Sequence, residues 1–204
     1  GGGEIVFDYV SPLGNISDVQ LGVPVAINIE NGIAAMALAQ LGGVSNEDIK
    51  TGMASFRGVD RRFDFKIKTD KMVYLSDYAH HPEEIKQSIL SMRALYEGKK
   101  LTGIFQPHLY TRTRDFYQEF ADSLSLLDEV ILTDIYPARE LPIEGVSSQL
   151  IYDNLRPDID KILCKKEEVI DILKKKEIEV LMTLGAGDIE NYAPQICEIL
   201  NERC

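Results

Sequence analysis

The feature that most constrains this chain is a unit repeated from about residue 62 onward. A short run of apolar residues is followed by a stretch with apolar residues at helical spacing. The runs are Met72 to Ser76, Leu101 to Phe105, Val130 to Thr133, Lys161 to Leu163 and Ile178 to Leu184. Ile85, Ile89, Met92 and Tyr96 share one helical face after the first run, and Phe116, Phe120, Leu124 and Leu127 share one after the second. Further helices are expected over residues 147–155, 167–176 and 189–200. Runs that are apolar throughout suit strands buried on both faces, and strand–helix alternation favours a mainly parallel sheet with helices on both sides. Ahead of the repeat, Arg62 to Lys68 alternates polar and apolar, as a half-buried strand does.

Residues 1–57 do not share this pattern. Two short extended segments flank the turn-forming Ser11-Pro12-Leu13-Gly14-Asn15, and a helix is expected over residues 29–41, closed by Gly42-Gly43. Ser45, with Asp48 three residues on, opens a second helix that ends at Phe56-Arg57-Gly58. This stretch is too small for a whole domain. It reads as the tail of a truncated one, with a self-contained α/β domain over residues 58–204.

Net charge is −11 from 22 basic and 33 acidic residues, a poor balance for gripping a nucleic-acid backbone. A few local donors can still bind a small anion against that field. The three cysteines, Cys164, Cys197 and Cys204, lack metal-ligand spacing and suit a reduced, cytoplasmic setting. Neither a signal peptide nor an apolar stretch near the roughly 20 residues of a membrane span is expected.

In an open parallel sheet, ligands bind beyond the carboxyl ends of the strands. The candidate loops are therefore Asp77-Tyr78-Ala79-His80-His81-Pro82, Gln106 to Arg114, Asp134 to Glu140, and Gly185-Ala186-Gly187-Asp188. All three histidines of the chain, His80, His81 and His108, fall in the first two, beside Arg112 and Arg114. Paired guanidinium donors suit carboxylate or phosphate oxygens. For Arg114 a surface pairing with Asp115 or Glu119 is equally good. The glycines of the fourth loop are a weak phosphate signal; a tight backbone turn explains them better. No Gly-x-x-x-x-Gly-Lys-Ser/Thr stretch occurs, so a phosphate-gripping loop is not expected on this chain. Asn28 and Asn31 carry amides able to pair with an adenine edge, although spacing alone favours helix capping.

Three segments together carry a family resemblance: Gly58-Val59-Asp60-Arg61-Arg62-Phe63-Asp64, Asp77 to Pro82, and Phe105 to Asp115. They resemble the Mur ligases, and among them the branch joining L-alanine to UDP-N-acetylmuramate. The branch recycling murein tripeptide shares the Asp-aromatic-Ala-His-His-Pro stretch but differs over residues 106–114. The other competing class is a stand-alone module binding a nucleotide or amino acid.

The resemblance implies that residues 1–57 end a central ATP-binding domain and that 58–204 form a Rossmann-like C-terminal domain. It implies an ATP-dependent ligase acting through an acyl phosphate in peptidoglycan precursor synthesis, with ATP and Mg²⁺ held mainly elsewhere and this fragment inactive alone. Cofactor-binding roles fall to Asn28, Asn31, Arg62 and Asp77. Substrate-binding roles fall to Tyr78, His80, His108, Thr111 and Arg112, with His80 and Arg112 the catalytic candidates; no metal ligand is assigned. The chain departs from the family pattern at Ile27, where a histidine is usual, and at Leu109, where an arginine is usual.

Overall fold

The computed structural model describes residues 4–25 and 27–203. The side chain of Ile27 and the whole of Cys204 lie outside the described residues, so the Ile27 departure has no structural counterpart here.

The first part holds an antiparallel pair, β1 (Ile5–Tyr9) and β2 (Ile16–Leu21), followed by α1 (Ile27–Leu41) and α2 (Asn46–Ser55). The Ser45 hydroxyl accepts from the Asp48 amide at 3.1 Å and starts α2 as expected. Tyr9, Ile16, Val19, Met36 and Ile49 form a small core of their own. Val23 and Val25, in the link to α1, pack instead into the core of the second part.

The second part is a six-stranded sheet: β3 (Asp64–Lys68), β4 (Val73–Asp77), β5 (Leu101–Phe105), β6 (Glu129–Leu132), β7 (Asp160–Leu163) and β8 (Val180–Leu184). The spatial order is β3-β4-β8-β5-β6-β7; only β3 runs antiparallel. The apolar runs are thus strands, and alternate residues of each feed two cores. Val73, Leu75, Phe105, Val130 and Met182 face one way. There they meet Ile85, Ile89 and Met92 of α3 (Pro82–Leu95), Phe120 and Leu124 of α4 (Tyr110–Leu124), and Ile151 of α5 (Gln149–Asn154). Tyr74, Ile104, Ile131 and Leu181 face the other way, against α6 (Val169–Leu173) and α7 (Ala193–Asn201). Each fully buried side chain of this size contributes about 1.5–3 kcal/mol. Two faces are therefore needed to hold the sheet, and the α/β expectation of helices on both sides is met.

Three local expectations change. Phe116 does not share the α4 core face: its backbone leaves helical geometry (φ −129°, ψ 16°) and its ring is 38% exposed. The kink lets the ring lie 6.0 Å from that of His81. Tyr96 lies just past the end of α3, not on its face. The helix expected over 167–176 is a 3₁₀ turn, Lys166–Glu168, and the short α6. Past Leu173 the ladder tightens to 3₁₀-type bonds, Lys175 to Ile172 and Lys176 to Leu173, and the carbonyls of Leu173 and Lys176 also accept from the guanidinium of Arg203.

The order of strands decides where the site lies. From β5 the chain steps outward through β6 and β7, then crosses the other face to place β8 between β4 and β5. The turn after β8 is thereby set between the loops that follow β4 and β5, at the switch point where open α/β sheets hold ligands.

Candidate active site

The link between the two parts is a tight turn. Gly58, Arg61 and Phe63 have φ of 83°, 66° and 48°, and the Arg62 amide donates to the Val59 carbonyl at 3.0 Å. The turn is docked on the end of β4. The Tyr78 amide donates to the Arg61 carbonyl, and the Phe63 amide donates to Asp77 Oδ1 at 3.3 Å. Asp77 also accepts from the Ala79 amide at 3.3 Å and from the Ser88 hydroxyl at 2.7 Å. Burial pushes its carboxyl above the ordinary aspartate value, against the pull of those three donors.

Beside this junction lies a cleft of about 600 Å³. Asn28, Asn31, Arg62 and Asp77 all line it, so the four cofactor-binding candidates meet at one place. Val23, Val25 and Phe63 give it apolar walls, and Tyr78 lies at its edge. The Asn31 amide donates to Asn28 Oδ1 at 3.3 Å and the Asn28 amide to the Val23 carbonyl at 3.4 Å. Neither side chain caps α1, so the capping alternative does not describe them.

The substrate-binding candidates form a second group, continuous with the first through Tyr78. The Tyr78 and His80 rings meet edge to face at 5.2 Å, His80 and His108 at 6.1 Å, and His108 stacks on Tyr136 at 5.7 Å. His80 Nδ1 lies 3.0 Å from the Tyr78 carbonyl and 3.4 Å from Glu84 Oε2, both acceptors, so Nδ1 carries a proton and donates. His108 has the other tautomer. Arg112 Nη1 is 3.2 Å from its Nδ1, and a guanidinium can only donate. Burial, then the Arg112 charge, then His80, hold the His108 imidazole below its usual value and keep it neutral. His81 is lowered by the same three causes in the same order.

Thr111 and Arg114, at the start of α4, have partners of their own. The Thr111 hydroxyl and amide both donate to the Glu140 carboxylate, which thereby caps the start of α4. Arg114 points outward and pairs with Asp115 at 2.7 Å, the surface alternative. Leu109 enters α4 with φ 74° and its amide bonded to the Tyr136 carbonyl at 2.9 Å.

Some residues that build the site were not picked out from the sequence. Gln106 is buried at the centre; its amide donates to Asp188 Oδ1 at 2.7 Å and accepts from the Ile189 amide at 2.9 Å. A Cβ on Gly187 would overlap the Gln106 carboxamide and lie 2.8 Å from Tyr136 Cβ, so the glycines make room for this side chain. Glu84 accepts from the amides of His80 and His81 at 3.0 and 3.1 Å and fixes the histidine loop. Its signal was present: an acid three residues into a helix that Pro82 starts. Among the described residues, no three His, Cys, Asp or Glu side chains come together as a metal site.

A family model described as Mur ligase, glutamate ligase domain, matches residues 61–189. The UDP-N-acetylmuramate–L-alanine ligases of Phocaeicola vulgatus and Parabacteroides distasonis are 77% and 60% identical to the chain, covering 100% and 97% of it. The chain spans 44% and 43% of their length, less than half of the curated relatives it matches. The crystal structure of the UDP-N-acetylmuramate–alanine ligase of Thermotoga maritima aligns over 94% of this chain and 41% of its own, at a TM-score of 0.76 and 27% identity. A folylpolyglutamate synthase from the same organism, at 16% identity over 94% of this chain and 44% of its own, shares the fold with a TM-score of 0.70. With most of its length matched by that model, and with relatives this similar along the whole of it, the chain belongs to the Mur ligase family.

Proposed function

We propose that this chain is the C-terminal part of an ATP-dependent ligase that joins L-alanine to UDP-N-acetylmuramate, an early step of peptidoglycan precursor synthesis in the bacterial cytoplasm. One observation carries the reading: the cleft lined by Asn28, Asn31, Arg62 and Asp77 opens beside the Tyr78–His80–His108–Arg112 group. On this reading residues 1–57 end a central ATP-binding domain and 58–204 close over the reactants.

The cleft suits a nucleotide. Its apolar walls fit a base, the two carboxamides offer both donors and acceptors to a base edge, and Arg62 adds a cation. The reaction forms an acyl phosphate on the lactyl carboxylate, and the amino group of L-alanine then displaces phosphate to give the amide. The attacking amine loses a proton, and His80, which in its neutral form with the proton on Nδ1 leaves Nε2 to accept, is the acceptor we assign. Arg112, steadied by neutral His108, holds a carboxylate, where its charge counts most in a site shielded from water. The Thr111 hydroxyl contributes by keeping the first turn of α4 in place through Glu140. Mg²⁺, in this reading, sits on the remainder of the protein, and no step is routed through a metal held here.

No helix among the described residues is long and apolar enough to cross a membrane. The test is phosphate release dependent on ATP, L-alanine and UDP-N-acetylmuramate, measured on this chain and on the same chain extended to the length of its relatives. Activity in the extended form alone is the expected result. Activity in neither, with glycine and murein tripeptide also offered, refutes the reading in favour of a binding module.

A further inference from the structure

Arg61 stands next to the nucleotide-cleft candidate Arg62, but the two side chains differ in their surroundings. Arg62 is exposed, lines the cleft and reaches the Tyr78 ring only from 5.8 Å, whereas Arg61 is half-buried and folded back onto the sheet edge. Its Nη2 donates to the Gly187 carbonyl at 3.1 Å, and its guanidinium carbon lies 4.7 Å from the centre of the Tyr78 ring. Its carbonyl accepts from the Tyr78 amide, and its own amide donates to Asp64 Oδ2 at 3.4 Å. Two further observations mark the placement as constrained. The backbone is left-handed at φ 66°, which a non-glycine residue rarely adopts, and Nε is buried without a hydrogen-bond partner. Both are unfavourable and persist only where the surroundings determine the conformation.

We propose that Arg61 is a positioning residue that ties the linker turn, the Gly185–Asp188 turn and the Tyr78 ring into one unit. The nucleotide cleft, reached through Arg62 and Asp77, is then held in fixed relation to the histidine group, reached through Tyr78. Lysine does not replace it: an ammonium can donate to Gly187 but has no planar face to lie on the ring.

The proposal rests on the ligase reading. Its test uses the full-length ligase, with wild-type turnover as the control that separates failure of that reading from failure of this one. Arg61→Ala and Arg61→Lys should each lower kcat/KM about 10²-fold, the scale of a misplacement near 1 Å. The KM values for ATP and for UDP-N-acetylmuramate should rise together, whereas Arg62→Ala, with its more distant approach to the Tyr78 ring, should raise the ATP value more than the other. In a Tyr78→Leu background the further loss on Arg61→Ala should shrink at least tenfold, because the two residues act as one unit. If Arg61→Ala does not fold, Arg61→Lys is read alone. Unchanged KM values with a lowered Tm, or additive losses with Tyr78→Leu, overturn the proposal.

Discussion

Replacing Gln106 by leucine keeps the volume of the side chain and removes both of its hydrogen bonds. Gln106 is 3% exposed, so water does not replace either partner. The Ile189 amide, now donating to Oε1 at 2.9 Å in a buried position, is left unpaired, which costs about 1–3 kcal/mol. Asp188 loses a 2.7 Å donor but keeps Lys166, so that loss lies at the lower end of the about 1.5–3 kcal/mol for a bond to a charged group. The apolar leucine recovers part of this by burial, leaving a net loss of about 2–4 kcal/mol. For a chain of this size that lowers Tm by about 5–15 °C. Thermal and urea unfolding followed by circular dichroism measure it, with an unchanged urea slope confirming that the native state keeps its compactness. Gln106→Glu separates the two bonds. It still accepts from Ile189 but sets a second carboxylate against Asp188, so its deficit should shrink as pH falls toward 4. A Gln106→Leu loss below about 1 kcal/mol, or a Gln106→Glu deficit that does not change with pH, refutes the view that this amide holds the turn after β8.

Further outcomes are expected elsewhere. Glu129, 2% exposed, pairs with Lys176 and Lys100 and accepts from Thr102 at 3.0 Å. Burial pushes its carboxyl up, but Lys176, Thr102 and Lys100 outweigh burial and hold it below the glutamate range. Its stabilising contribution is therefore present above the unfolded value of about 4.3 and lost as pH falls through the folded one. Glu129→Gln should cost about 1–3 kcal/mol at pH 7, less than a fully buried pair because both lysines reach solvent, and should flatten the acid limb of a stability–pH curve. Gly187→Ala should cost about 1–3 kcal/mol through overlap with Gln106 and Tyr136, whereas Gly52→Ala, on a helix surface with open space around its Cβ, should gain about 0.5–1 kcal/mol; chemical denaturation reads both signs. Arg114→Ala should leave Tm and turnover of the intact protein unchanged, since the side chain meets only the exposed Asp115.

The sheet was legible because its strands are unbroken apolar runs, which periodicity alone identifies. The helix ends were less so. Phe116 fits a helical stripe with Phe120 and Leu124, yet a ring partner in another loop draws it out of register. The stretch 174–176 has good helix formers, but its bonds are 3₁₀-type and its end is held by Arg203, far along the chain, which donates to the carbonyls of Leu173 and Lys176. Of the site, the loops were legible and the division of labour within them was not. Asn28 and Asn31 were distinguishable from caps only once α1 was seen to start at Ile27. Arg61 and Gln106 act through backbone groups of the turn after β8, more than 80 residues from Gln106 and 126 from Arg61. No local pattern encodes such a partner.

On the proposed reading, a chain with a net charge of −11 must bind anions and needs its acids kept away from them. The arrangement at the loop edge meets that need by engaging Glu84, Glu140 and Asp188 with donors of the protein itself. Glu84 faces the amides of His80 and His81; burial pushes it up, but those amides carry it below the glutamate range. Glu140 is lowered by the Thr111 hydroxyl and amide, and Asp188 by Lys166 and Gln106 against the opposing effect of burial. A carboxylate whose oxygens already accept backbone or cationic donors projects less field into the cleft than a free one. Among the described residues neither Arg62, which lines the cleft, nor Arg112, which meets neutral His108, lies within ion-pair distance of a carboxylate, and so their charge is available to an incoming anion. The same contacts that start α3 and α4 thus shape the local field, so helix caps and the proposed ligand residues alternate along these loops instead of occupying separate ones.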